Sequence, residues 1–184
     1  ARFIQLSLSS SVTNCAFCNC KLNQLIIEKQ VKVQNISMPV LSLPLLLMDQ
    51  FSPTPKSFSV FDHDLDPTSA HCFNNATAIA VDTEAMGLIH GRDRLCLVQI
   101  CDQDDNVACI RIGLNQKSAP TLKALLEKPS IEKVFHFARF DVAALASGLG
   151  IEVTPIFCTK VASKIGRTYS PRHGLKEVIM EMVG

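Results

Sequence analysis

From Phe58 onward the apolar positions fall into short runs whose period changes along the chain. "TAIAVDT" (77–83) reads as a small apolar strand, and "RLCLVQICD" (94–102) and "NVACIRI" (106–112) as two more. The short "DQDDN" between the latter two predicts a hairpin. "APTLKALLEK" (119–128) switches to helical spacing, with Pro120 near the first turn and Leu122, Leu125 and Leu126 on one face. "EKVFHF" (132–137) predicts a short strand. "ARFDVAALASGLG" (138–150) predicts a helix with Val142, Leu145 and Leu149 in register, closed by Gly148 or Gly150. "TPIFCT" (154–159) predicts a last strand, and "TKVASKIGR" (159–167) and "HGLKEVIMEM" (173–182) two further helices. Three strands followed by alternating helix and strand define an α/β domain with a mixed sheet. "FDHDLDPTSA" (61–70), polar and carrying a proline, predicts a loop, and no internal repeat is visible.

Residues 1–57 follow no such pattern. They are rich in Ser, Asn and Leu, poor in acids, and are expected to be an N-terminal extension to which no fold is assigned. The first residue is Ala1, and Gly184 directly follows a helix-like stretch, so a sequence cut at both ends is expected. The most apolar run, "MPVLSLPLLLM" (38–48), is too short to span a bilayer and holds Pro39 and Pro44, which argues against a membrane partner. Eight cysteines include three in "CAFCNC" (15–20); the others are scattered through apolar runs. Reduced, buried thiols and a cytoplasmic location are the expectation. A disulfide framework, or zinc held by the "CAFCNC" thiolates, is the weaker alternative.

With 47% hydrophobic and 19% charged residues, most of the chain is expected to be globular. The net charge of +1 hides a division that matters more. Residues 61–152 carry eight Lys/Arg against thirteen acids, and residues 153–184 carry five against two. Within the acidic part, Asp82 and Glu84 stand two apart at a strand end, so both side chains leave on one side. Alone, the pair reads first as a solvated strand end before a turn. Asp141 lies just beyond a second strand end, in the first turn of a helix, where the dipole favours an acid in any case. Three carboxylates at neighbouring strand ends would hold hard divalent cations, Mg²⁺ or Mn²⁺, able to assist phosphodiester cleavage. The basic segment from Ile156 to Lys176 places Lys160, Lys164 and Arg167 at helical spacing, a face suited to phosphates or merely to solvent.

"AVDTEAMGL", "RDRLCLVQI", "KVFHFARFDVAAL" and "FCTKVASKIGRTYSPRHGLK", in this order, resemble the ribonuclease D-type members of the DEDD 3′→5′ exonucleases. The similarity is greatest to small bacterial enzymes of the nano-RNase C type, and it runs from about Phe58 to Gly184. It implies a ribonuclease H-like mixed sheet flanked by helices, over residues 58–184. It implies hydrolysis at the 3′ ends of RNA or short oligonucleotides, with release of nucleoside 5′-monophosphates. Asp82, Glu84 and Asp141 would be catalytic metal ligands, for two Mg²⁺ or Mn²⁺ in a complete site. Leu88 matches a leucine that wedges between terminal bases, though it also reads as core. Arg172, His173 and Lys176 fall in a segment near the substrate, and His136 is expected to pack beneath the site. Ring-forming enzymes of this type make a homo-oligomer the expected assembly. The family's third motif, Tyr-x-x-x-Asp, does not occur: Tyr169 is followed four residues later by His173. The expectation is therefore an exonuclease domain incomplete at its C-terminal side and of little activity, with a non-catalytic nucleic-acid-binding remnant as the alternative.

Overall fold

The computed structural model describes residues 56–89 and 92–182. In chain order the elements are β1 (Ser57–Asp62), α1 (Pro67–Asn74), β2 (Ala78–Ala85), β3 (Leu95–Asp102) and β4 (Asn106–Arg111). They continue as α2 (Pro120–Leu126), β5 (Glu132–Phe135), α3 (Arg139–Leu149), β6 (Ile156–Cys158), α4 (Thr159–Gly166) and α5 (Leu175–Met182). The strands form one sheet in the order β1-β4-β3-β2-β5-β6. β2, β3 and β4 are antiparallel neighbours, while β5 and β6 run parallel to β2 and β1 runs parallel to β4. This is the mixed sheet with flanking helices that the periodicity predicts.

The alternation in β2 sorts its residues onto two faces. Ile79 and Val81 join Val98, Ile100, Ile110 and Phe135 under the apolar sides of α1, α2 and α3. Ala78 and Ala80 lie on the opposite face with Cys101, Val107, Cys109 and Val134, against Ile179 and Leu175 of α5. Leu122, Leu126 and Leu145 are fully buried, and each contributes roughly 1.5–3 kcal/mol by leaving water. Lys133 is a fully buried exception. Its ammonium donates to the carbonyls of Lys128 (2.7 Å) and Ile131 (2.6 Å) in the turn after α2. Burial pulls its pKa down to about 8.

The β3–β4 hairpin forms as expected. The Asp102 carboxylate accepts from the amides of Asp104 and Asn106, each at 2.9 Å, and so shapes the turn. α3 closes at Gly150, in the left-handed region at φ 64°, where glycine meets no Cβ penalty.

Two expectations are corrected. "FDHDLDPTSA" is not a loop throughout: β1 ends within it and α1 begins at Pro67, with Asp66 accepting from the Ser69 amide at 2.9 Å. And Cys101 is disulfide-bonded, whereas Cys72, Cys96, Cys109 and Cys158 are free thiols. Burial pushes the Cys109 thiol up to about 11, so it is unreactive. The segment 1–55 and its "CAFCNC" lie outside the described residues.

Candidate active site

Because β2, β5 and β6 are parallel, their C-terminal ends share one edge of the sheet. Asp82 and Glu84 stand at that edge on β2, opposite Gln99 and Leu97 of β3. Asp82 is half-buried and Glu84 exposed. Thr83, between them, turns to the other face and is buried. Asp141 arrives from the first turn of α3, which packs on that same face, and is buried as well.

One carboxylate oxygen of Asp141 receives two hydrogen bonds from Thr83: the amide at 3.0 Å and the hydroxyl at 2.8 Å. The second acidic segment is thereby tied to the middle residue of the first. Burial pushes the Asp141 carboxyl up to about 7, and the nearby negative charge of Asp82 adds to the rise while the Thr83 hydroxyl opposes it. A buried carboxylate with a second carboxylate charge nearby is a place where a cation relieves both burial and repulsion. The donors are hard oxygens, so the chemistry of the pair fits Mg²⁺ or Mn²⁺. Among the described residues, however, no three His, Cys, Asp or Glu side chains gather closely enough to hold a metal ion. Asp82 lies near enough to Asp141 for its negative charge to raise that carboxyl's pKa.

The other candidates differ in burial and in partners. Leu88 is not core: it is 79% exposed, beside exposed Met86 and Ile89. Arg172 and Lys176 are exposed and His173 is half-buried, its Nδ1 sharing a 3.0 Å hydrogen bond with the Ser163 hydroxyl. The Lys160, Lys164 and Arg167 face is corrected. Arg167 lies just past α4, is buried, and is committed to Glu181, to Ser163 Oγ and to the Arg172 carbonyl. Lys164 remains exposed. Lys160 places its ammonium 4.3 Å from the centre of the Phe137 ring. His136 is half-buried. Its Nδ1 lies 2.8 Å from Thr159 Oγ1, and Thr159 in turn donates to the Phe135 carbonyl at 3.1 Å. Desolvation, with Lys160 nearby, lowers the His136 pKa. Tyr169 donates its hydroxyl to Glu181, away from the acids.

Two residues at this end of the sheet escape a sequence reading. Thr83 leaves a faint signal, a hydroxyl residue at the buried position between two acids. Phe137 leaves none, because its φ of 73° is a property of the folded turn.

The acids at the shared strand edge and the ribonuclease H-like mixed sheet describe a nuclease-type α/β domain. Residues 68–184 match the family model described as 3′-5′ exonuclease, and the chain belongs to that family. Among solved structures, Brucella melitensis NrnC with bound Mg²⁺ is 46% identical with a TM-score of 0.64, over 69% of this chain and 62% of that one. Brucella melitensis NrnC bound to pGG matches at 46% identity and a TM-score of 0.64, over 69% of this chain and 61% of that one. Ribonuclease D of Gluconacetobacter diazotrophicus is 29% identical over 106 residues, 58% of this chain and 26% of its own length. Ribonuclease D of Acidiphilium cryptum is 33% identical over 87 residues, 47% of this chain and 22% of its own length. The chain thus spans about a quarter of these curated relatives and about three-fifths of the solved structures. Among the described residues no helix is long and apolar enough to cross a membrane.

Proposed function

We propose that this chain carries the metal-dependent catalytic edge of a 3′→5′ exonuclease, acting on the 3′ ends of RNA or short oligonucleotides and releasing nucleoside 5′-monophosphates. The observation that carries the reading is the double hydrogen bond from Thr83 to Asp141, which fixes the α3 carboxyl beside Asp82. Asp82, Glu84 and Asp141 are the residues that would hold the cations. When bound, divalent cations supply an activated water and neutralise the charge of the leaving oxygen. The chain's own residues do the rest. Thr83 occupies one oxygen of Asp141 and so sets the orientation of that carboxyl. Exposed Leu88 stands beyond the acids, where a terminal base would lie. Arg172, His173 and Lys176 offer donors to the phosphates, and Arg167 holds the Arg172 carbonyl in place. Mg²⁺ bound to NrnC and pGG bound to NrnC support the cation and the short substrate by likeness.

The second reading is nucleic-acid binding without cleavage, for which the exposed Arg172 and Lys176 would serve as phosphate donors with no need of a cation. Incubation of a 5′-labelled oligoribonucleotide with the protein and Mn²⁺ separates the two. Stepwise loss from the 3′ end, abolished in Asp82→Ala together with tight Mn²⁺ binding, is the expected result. Binding without shortening favours the second reading, and Mn²⁺ affinity unchanged in Asp82→Ala overturns the site.

A further inference from the structure

Phe137 sits two residues beyond the end of β5 and four before Asp141, at the same edge as the acids. Its φ of 73° lies in the left-handed region, which a bulky aromatic residue rarely adopts. Among the described residues the other positive-φ side chains are His63, Asp105 and Asn115, types that tolerate this region far better. The ring does not recover the strain by burial, since it remains 49% exposed. Strain of this kind persists where the surrounding structure enforces it, and it clusters at ligand-binding positions. Here the enforcement is visible. Phe135 is a buried strand residue paired with Cys158, and Ala138 is buried in the core. The Phe140 amide bonds back to the Phe137 carbonyl at 3.2 Å. The chain must turn within three residues, and the turn holds the ring out from the edge.

The ring has company on one side. Lys160, in the first turn of α4, holds its ammonium 4.3 Å from the ring centre. A cation on an aromatic face fixes that ring and leaves the remaining surface for a second planar partner. A flat, half-exposed ring with a positive charge beside it is the pairing that single-stranded nucleic acid meets on its binding proteins: stacking for the base, charge for the phosphate.

We propose that Phe137 is a stacking platform for a nucleobase near the 3′ end, with Lys160 serving the adjoining phosphate. The inference rests on the exonuclease reading and adds a base-contacting residue to it. Base–aromatic stacking of this kind corresponds to about 5- to 150-fold in affinity.

The test is calorimetric titration of the chain, in Ca²⁺, with a short oligoribonucleotide and with the same oligomer carrying an abasic 3′-terminal or penultimate residue. The wild-type chain is expected to bind the intact oligomer about 5- to 150-fold more tightly than at least one abasic form. Phe137→Ala is expected to keep only the smaller preference that Leu88 supplies, and Phe137→Trp to restore the full one. Phe137→Gly is expected to melt above Phe137→Ala, because glycine accepts the positive φ, yet to bind no better. A preference for the intact oligomer as large in Phe137→Ala as in the wild type overturns the platform. If that variant also shortens RNA from the 3′ end, the exonuclease reading stands without it. No binding of any oligomer by the wild-type chain overturns both.

Discussion

Thr83 gives both its amide and its hydroxyl to a single oxygen of Asp141, 58 residues away along the chain. The strand alternation that sends Asp82 and Glu84 one way sends Thr83 the other, toward the helix that carries Asp141. The acids were legible in the sequence because carboxylates at strand ends are conspicuous. The threonine was not, because its role depends on which helix covers which face. A hydrogen bond to a charged group is worth about 1.5–3 kcal/mol. Thr83→Val is therefore expected to lower stability by about that amount in urea unfolding at pH 8, and to weaken Mn²⁺ binding measured by calorimetry. Thr83→Ser, which keeps the hydroxyl, is expected to recover most of both. Equal Mn²⁺ affinity in the valine variant and the wild type would remove Thr83 from the site. Arg167 was misjudged for a related reason. Helical spacing from Lys160 and Lys164 put it on a basic face, but the helix ends first, and the side chain turns in to Glu181 and Ser163.

At the level of elements, the strands and the helices with clear apolar periods were legible from Ala78 to Met182. The stretch around Asp62, Asp64 and Asp66 was not. Three acids at alternate positions look like a solvated loop, yet each has a structural partner. Asp62 pairs with Arg111, at 2.7 Å, across β1 and β4. The Asp64 carboxylate accepts from the amides of Thr121 (2.8 Å) and Leu122 (3.0 Å) and so caps α2 from a distant segment. Asp66 caps α1. Single-sequence reasoning finds a cap beside its own helix, as at Asp66 before Pro67, more readily than one supplied from 57 residues away. Asp64→Ala is expected to cost about 1–2 kcal/mol and Asp66→Ala about 1 kcal/mol, read from chemical unfolding. The exposed Asp62→Ala change is expected to cost less than about 1 kcal/mol. A cost at Asp62 larger than that at Asp64 would reverse this assignment.

At the scale of the whole molecule, Asp141 and Glu181 respond to pH in opposite senses. Arg167 beside it, with help from Tyr169, holds Glu181 down to about 2, so that pair supports the fold above the ordinary carboxylate value and is lost as pH falls toward 2. Asp141 is raised, from 3.8 to about 7, chiefly by burial. Between those values the folded chain holds a proton that the unfolded chain has released, so stability declines as pH rises from about 4 to about 7. The two carboxylate windows scarcely overlap; His136, whose pKa is lowered chiefly by burial, adds an opposing rise with pH below its ordinary value of 6.5, and the Asp141→Asn variant shares that rise. The full size of the Asp141 effect is up to about 4 kcal/mol. Asp141→Asn keeps an acceptor for Thr83 but carries no charge. It is expected to match the wild type near pH 4 and to exceed it by up to that amount at pH 8, in urea unfolding of the metal-free proteins. Saturating Mn²⁺ is expected to raise wild-type stability at pH 8 and to leave the asparagine variant little changed. The decline with pH, its loss in the variant and its reversal by the cation all depend on one buried carboxyl being held beside Asp82. If the metal-free wild type and Asp141→Asn show the same pH profile between pH 5 and pH 8, Asp141 is not held in that environment, and a cation gains no relief of burial by binding there.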